Sequence, residues 1–223
     1  MRLASTGVDE LDRLLGSGYP DRAVVLVSGP AGIGKEALRY WFIRAGLTAG
    51  DFCLYVTKST PTEVLQDFRG FGVDTSRVPT WYSREGGERK FDPNDLASMS
   101  FNIKETLRTN EGRRIRIVTD VLSSLLVLIS TETVYRFLYQ LFSDVKQHDA
   151  VMLATLEEGM HDPKVVSTMS ELFDGVVEFK LFEEGLKVVP LLRVVKMRGL
   201  PPKLGYYNFA LTKGQMEIRN YAR

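Results

Sequence analysis

Ala23-Val24-Val25-Leu26-Val27-Ser28-Gly29-Pro30-Ala31-Gly32-Ile33-Gly34-Lys35-Glu36 is an apolar run, a glycine-rich loop, a lysine and a carboxylate. The run is short, β-branched and free of charge, the pattern of a strand buried on both faces. After Lys35, apolar residues at Ala37, Leu38, Trp41, Phe42 and Ala45 recur at helical spacing. A strand, a glycine turn and a helix point free N–H groups at an anion. Residues 29–35 follow G-x-x-x-x-G-K, where glycines let amides turn inward around phosphates and the lysine reaches the β and γ phosphates. The next position ordinarily carries a hydroxyl that holds magnesium, and here it is Glu36. Gly29, Pro30, Ala31, Gly32, Ile33, Gly34, Lys35 and Glu36 are therefore read as the nucleotide-binding residues.

Glu36 sets two demands against each other. A carboxylate in the first turn of a helix is favoured by the dipole. It also competes with phosphate for the loop amides and can pair with Lys35. Magnesium accepts carboxylates, but Glu is longer than Ser or Thr by about two heavy atoms, and octahedral geometry near ~2.1 Å leaves little slack. Weakened or altered metal binding is the expectation.

Working outward, strand-like and helix-like stretches alternate. Residues 52–57 and 115–119 are β-prone runs, 80–82 a short strand, and 150–155 another strand. Helical stripes fall at Val64, Leu65 and Phe68, at Leu96, Met99, Ile103 and Leu107, and at Val134, Phe137, Leu138, Leu141, Phe142 and Val145. Residues 83–93 are polar and glycine-containing, an exposed loop. Such alternation predicts an α/β fold with a doubly wound, mainly parallel sheet. The last third differs: residues 175–182, 186–197, 206–211 and 215–220 are strand-like with short turns, including Glu183-Glu184-Gly185 and Lys213-Gly214, which predicts a C-terminal antiparallel β extension. The reading is one mixed-sheet domain over residues 1–223.

Asp120 ends an apolar strand in the crevice beyond its carboxyl end, where an acid can orient a magnesium ion or its water. Lys196 and Arg198, two apart on a predicted strand, share one face. Arg108, Arg113, Arg114 and Arg116 form a basic cluster that reads as solvated surface. His161 reads as a loop residue, and no metal-ligand spacing appears. The aromatic residues fall on apolar faces and read as core rather than base-stacking platforms.

The 223 residues carry a net charge of +1, 44% hydrophobic and 26% charged residues, an ordinary globular balance. That balance argues against a broad nucleic-acid or anionic-membrane footprint. The single cysteine, Cys53, lies in an apolar run and is expected buried and reduced, in a cytoplasmic chain without a secretory signal or membrane span.

The opening Ser5-Thr6-Gly7-Val8-Asp9-Glu10-Leu11-Asp12-Arg13-Leu14-Leu15-Gly16-Ser17-Gly18-Tyr19-Pro20, followed by the phosphate loop, resembles the KaiC-like branch of the RecA superfamily of ATPases. So do Leu54-Tyr55-Val56-Thr57, Phe71-Gly72-Val73-Asp74, Thr119-Asp120-Val121-Leu122-Ser123-Ser124-Leu125 and Val194-Val195-Lys196-Met197-Arg198-Gly199. The resemblance implies a RecA-like fold, ATP or ADP as ligand, and homo- or hetero-oligomers of RecA-type subunits with nucleotide at their boundaries. It gives Lys196 and Arg198 a role on the phosphate held by a neighbouring subunit. It also implies one or two glutamates after the second strand that activate water. This chain has Lys58-Ser59-Thr60-Pro61 there, with Glu63 the nearest acid. Residues 157–170 fall where a RecA-type DNA-binding loop would lie, but they hold Glu157, Glu158 and Asp162 against Lys164. The expectation is a nucleotide-binding protein with weak or absent hydrolysis, regulatory or scaffolding in an assembly. An active magnesium-dependent ATPase and a recombinase paralogue binding single-stranded DNA are the alternatives.

Overall fold

In the computed structural model, which describes residues 3–87, 89–201, 205–212 and 214–221, the chain opens with a two-residue bridge of β1 (Leu3–Ala4) and β2 (Tyr19–Pro20) around helix α1 (Asp9–Leu14). β3 (Val24–Gly29) leads through the loop into α2 (Ala37–Ala49), followed by β4 (Phe52–Thr57), α3 (Pro61–Phe71) and β5 (Thr80–Tyr82). Then come α4 (Leu96–Thr109), β6 (Ile115–Thr119), α5 (Leu122–Leu128), α6 (Thr131–Gln147), β7 (Ala150–Glu157) and α7 (Pro163–Leu172). The chain closes with β8 (Gly175–Glu184), β9 (Lys187–Met197), β10 (Tyr207–Thr212) and β11 (Gln215–Asn220).

Among the described residues these strands form one nine-stranded sheet in the order β11-β10-β9-β8-β3-β7-β6-β4-β5. From β5 to β8 neighbours run parallel; β8, β9, β10 and β11 pair antiparallel. This is the RecA-like α/β architecture, a doubly wound parallel sheet with an antiparallel extension. β3 lies at its centre, buried along its whole length, as its unbroken apolar run required. One face packs against α2 and α3 through Leu38, Trp41, Phe42 and Phe68, and the other against α4 to α7 through Ile103, Leu125, Leu138 and Met169.

Three helices escaped the sequence reading. α7 occupies residues read as a loop: Asp162 caps it by accepting from the Lys164 amide at 2.7 Å, Pro163 starts it, and Met169 is its buried anchor. α5 grows from the leucine-rich stretch after Asp120, and α1 from the family-like opening. Lys213, in the turn expected before β11, lies outside the described residues.

The arginine cluster also turns out differently. Arg116 is buried on β6, its Nε 2.7 Å from Asp51 Oδ2, its Nη1 donating to the carbonyls of Ser5 (2.7 Å) and Phe42 (3.0 Å). Arg114, also buried, donates to Asp21 at 2.7 Å and to the Leu3 carbonyl at 2.9 Å. These two tie the N-terminal segment to the sheet, while Arg108 and Arg113 stay on the surface. Cys53 is buried on β4, its Sγ 3.6 Å from the Ile43 carbonyl, and burial pushes its thiol up to about 12. Among the described residues no helix is long and apolar enough to cross a membrane.

Candidate functional site

The loop of residues 30–36 leaves the carboxyl end of the central strand, where open α/β sheets take their ligands. Gly29 sits at φ 155°, and a Cβ there would meet the Phe179 carbonyl oxygen at 2.7 Å, so only glycine lets the loop pass β8. Gly34, at φ 98°, presses against the tip of Leu211 on β10. Glu36 is already helical (φ −59°, ψ −32°) at the head of α2.

Lys35 is wholly buried, and all three of its protons have acceptors. Nζ donates to the Pro30 carbonyl at 3.0 Å, to Glu36 Oε1 at 2.6 Å and to Glu157 Oε2 at 2.6 Å. The other Glu36 oxygen accepts from the Gly34 amide at 3.1 Å. Glu36 thus bridges a loop amide and the lysine, the two kinds of donor a phosphate would use. Burial works to raise its carboxyl, but the Lys35 hydrogen bond and the nearby charges of Lys35 and Arg39 outweigh burial and hold it below the ordinary value.

Glu157 was noticed in the sequence only as part of an acidic stretch. Its signal was the one used for Asp120, an acid at the carboxyl end of an apolar strand. β7 lies beside β3 with Glu157 level with Gly29, and the Ser123 hydroxyl accepts from the Glu157 amide at 2.8 Å. Next to it, Glu158 Oε1 accepts from Ser28 Oγ at 2.9 Å.

The remaining amides of the bed are open. The N–H groups of Gly32, Ile33 and Lys35 donate to no acceptor among the described residues. The bed therefore fits a polyphosphate, provided Lys35 turns away from its two carboxylates.

The same residues do not fit a resident magnesium ion as they stand. Glu36 is committed to Lys35 and Gly34. Asp120, expected to orient the metal, is buried with both oxygens taken. Arg39 Nη1, Tyr55 Oη (2.9 Å) and Thr57 Oγ1 (3.1 Å) donate to Oδ2, and the Lys58 amide donates to Oδ1 at 2.9 Å. The physical reason is Arg39, a guanidinium buried on α2 that needs an anionic partner.

The stretch after β4 holds no substitute acid. Glu63 closes a capping box on α3, accepting from the Thr60 amide at 2.7 Å, and so faces its own helix end.

Lys196 lies on β9 and Arg198 one residue past its end, toward the amino end of β3 and away from the loop. Val25 of β3 is level with Gly175, and Gly175 pairs with Met197. Gly29 is four steps along the strand from Val25, about 13 Å at ~3.3 Å per residue. Both cations line a groove of about 640 Å³ with Tyr139, Lys146, Glu171 and Asp174. Arg198 Nη1 is 3.1 Å from Asp174 Oδ1, and Lys196 Nζ 3.3 Å from the Glu171 carbonyl. His161 stands in the turn before α7, where partial burial lowers its imidazole.

Comparison with known proteins bears on this geometry. The sequence model of the family described as "ATPase: KaiC" matches residues 4–222. The chain is 24% identical over 199 residues to "Circadian clock protein KaiC3" of Synechocystis sp., covering 87% of this chain and 39% of that protein. It is 26% identical over 232 residues to "Circadian clock oscillator protein KaiC" of Synechococcus elongatus, covering 98% of this chain and 44% of that one. A "UPF0273 protein" of Aeropyrum pernix is 26% identical over 232 residues, with 93% and 89% covered. The chain thus spans about two fifths of the length of these KaiC relatives and nearly nine tenths of the UPF0273 one.

Proposed function

The chain belongs to the KaiC family of ATPases, and on that premise we propose that it binds ATP or ADP on residues 29–36 while hydrolysing it weakly or not at all. The observation that carries this reading is the contrast within one loop. Three amides stand unclaimed around Lys35, yet the magnesium hydroxyl is a carboxylate and the stretch after β4 has no acid aimed at the loop. Phosphate binding needs the amides and the ammonium. Water activation needs a base within hydrogen-bond reach.

On this reading Asp120 serves first as the counter-ion of Arg39. Lys196 and Arg198, too far along the strand to reach the loop of their own chain, act on nucleotide held by a neighbouring RecA-type subunit. The protein is then a regulatory or scaffolding member of an oligomer, with nucleotide at subunit boundaries and no nucleic acid.

Isothermal calorimetry with ATP and ADP is the test. Binding is expected in wild type and lost in Lys35→Ala, with phosphate release far below ~1 per second, the low end for working enzymes. No heat at millimolar nucleotide ends the binding reading. Turnover at ordinary enzymatic rates ends the weak-hydrolysis reading.

A further inference from the structure

β3, β7, β6 and β4 stand side by side and run parallel, so their carboxyl ends open on one crevice. Each end delivers a charged group to it. β3 brings the loop with Lys35, β7 brings Glu157, β6 leads into Asp120 and β4 into Lys58. The charges there are set against an anion. Lys35 is shared between Glu36 and Glu157, and Arg39 is held by Asp120. A polyphosphate that draws Lys35 to itself leaves two carboxylates beside it without their cation, and every further phosphate adds to the repulsion.

Among the described residues at these four strand ends, Lys58 is the cation left without an anion. Its side chain is half-buried, and its ammonium meets no acceptor among the described residues. Its backbone, by contrast, is fixed. The Lys58 amide donates to Asp120 Oδ1 at 2.9 Å, Asp120 Oδ2 accepts from Arg39 Nη1, and Arg39 Nε donates to the Glu36 carbonyl at 3.2 Å. These contacts tie the end of β4 to the first turn of α2, the helix that the loop leads into.

The loop is closed on one flank and open on the other. Toward β8 and β10 it lies against Phe179 and the tip of Leu211, which offer no cation to a phosphate. Toward β7 it sends the Lys35 ammonium, 2.6 Å from Glu157. A phosphate chain gripped by Lys35 therefore extends its far end toward β7, β6 and β4. β4 is three strands from β3, about 14 Å at ~4.8 Å per strand, and a flexible four-carbon stem covers part of that interval. Resting on the nucleotide reading above, we infer that Lys58 takes the terminal phosphate of a nucleoside triphosphate and makes the site prefer ATP to ADP. A diphosphate ends short of this ammonium and gains nothing from it. The subunit then reports which nucleotide it holds without having to turn it over.

Calorimetric affinities for ATP and ADP in wild type, Lys58→Met and Lys58→Arg test this. Methionine keeps an unbranched stem and removes the charge, and neither change touches the backbone donor to Asp120. Wild type should bind ATP about tenfold more tightly than ADP, the worth of one charge-assisted hydrogen bond. Lys58→Met should bring ATP to within about twofold of ADP and leave ADP within about twofold of its wild-type affinity, whereas Lys58→Arg should keep the preference. A preference that survives in Lys58→Met, or a wild type that binds both nucleotides alike, overturns the role of Lys58 and leaves the phosphate bed standing. Equal weakening of ATP and ADP in Lys58→Met also overturns it, since the effect is then not on the terminal phosphate. A wild type that binds neither nucleotide overturns the nucleotide reading and this inference with it.

Discussion

Glu36 puts an anion inside a bed made for anions. Its two oxygens hold one loop amide and the lysine, so the charge of the bed is already neutralised from within. Because its folded carboxyl lies below the ordinary 4.5, the unfolded chain takes up the proton first as pH falls. The stability it lends is complete above about 4.5 and drains away below it. Wild type should therefore exceed Glu36→Gln in urea midpoint at neutral pH, with the gap narrowing as pH falls below about 4.5. A gap that does not change with pH would show that the charge of Glu36 is not what stabilises. At this scale the sequence was half legible. Lys35 and Glu36 are chain neighbours, and their pairing follows from adjacency. Glu157 is 122 positions away, and its arrival depends on β7 lying beside β3, which periodicity does not report.

The elements show the same division. β3, β4, β6 and the stripe of α6 carry unmistakable periods, and all appear where the residues place them. α7 was missed although Val165, Val166, Met169 and Leu172 have helical spacing, because the acids before it and the family comparison drew attention to a loop. The arginines show how burial hides from composition. A run with four arginines reads as surface, yet Arg116 on β6 and Arg114 just before it turn inward to partners supplied by distant loops. Arg116→Ala should cost about 3 to 5 kcal/mol, since it strands Asp51 as an unpaired buried charge. Arg108→Ala removes a contact with Glu105 on the exposed side of α4 and should stay within about 0.5 kcal/mol. Chemical denaturation of the two variants checks the contrast; equal losses would contradict it.

Across the whole molecule, the loop and the Lys196–Arg198 groove stand at opposite ends of the strands of one sheet. On the proposed role of the groove, the contact between subunits would be head to tail, a kind that closes into rings or runs into filaments. If the two cations complete a neighbour's site, apparent ATP affinity should rise with protein concentration in wild type. It should stay flat in Lys196→Ala/Arg198→Ala, as read by fluorescence anisotropy of a labelled nucleotide over a dilution series. A slope unchanged by the double variant would take that role from the pair. The topology that separates the ends also encloses the lone sulfur of β4, protonated and out of reach in the folded chain. An alkylating reagent can then modify the protein only in moments when its central strands part. Modification speed becomes an internal clock of opening, and any compound that grips the folded form must slow it.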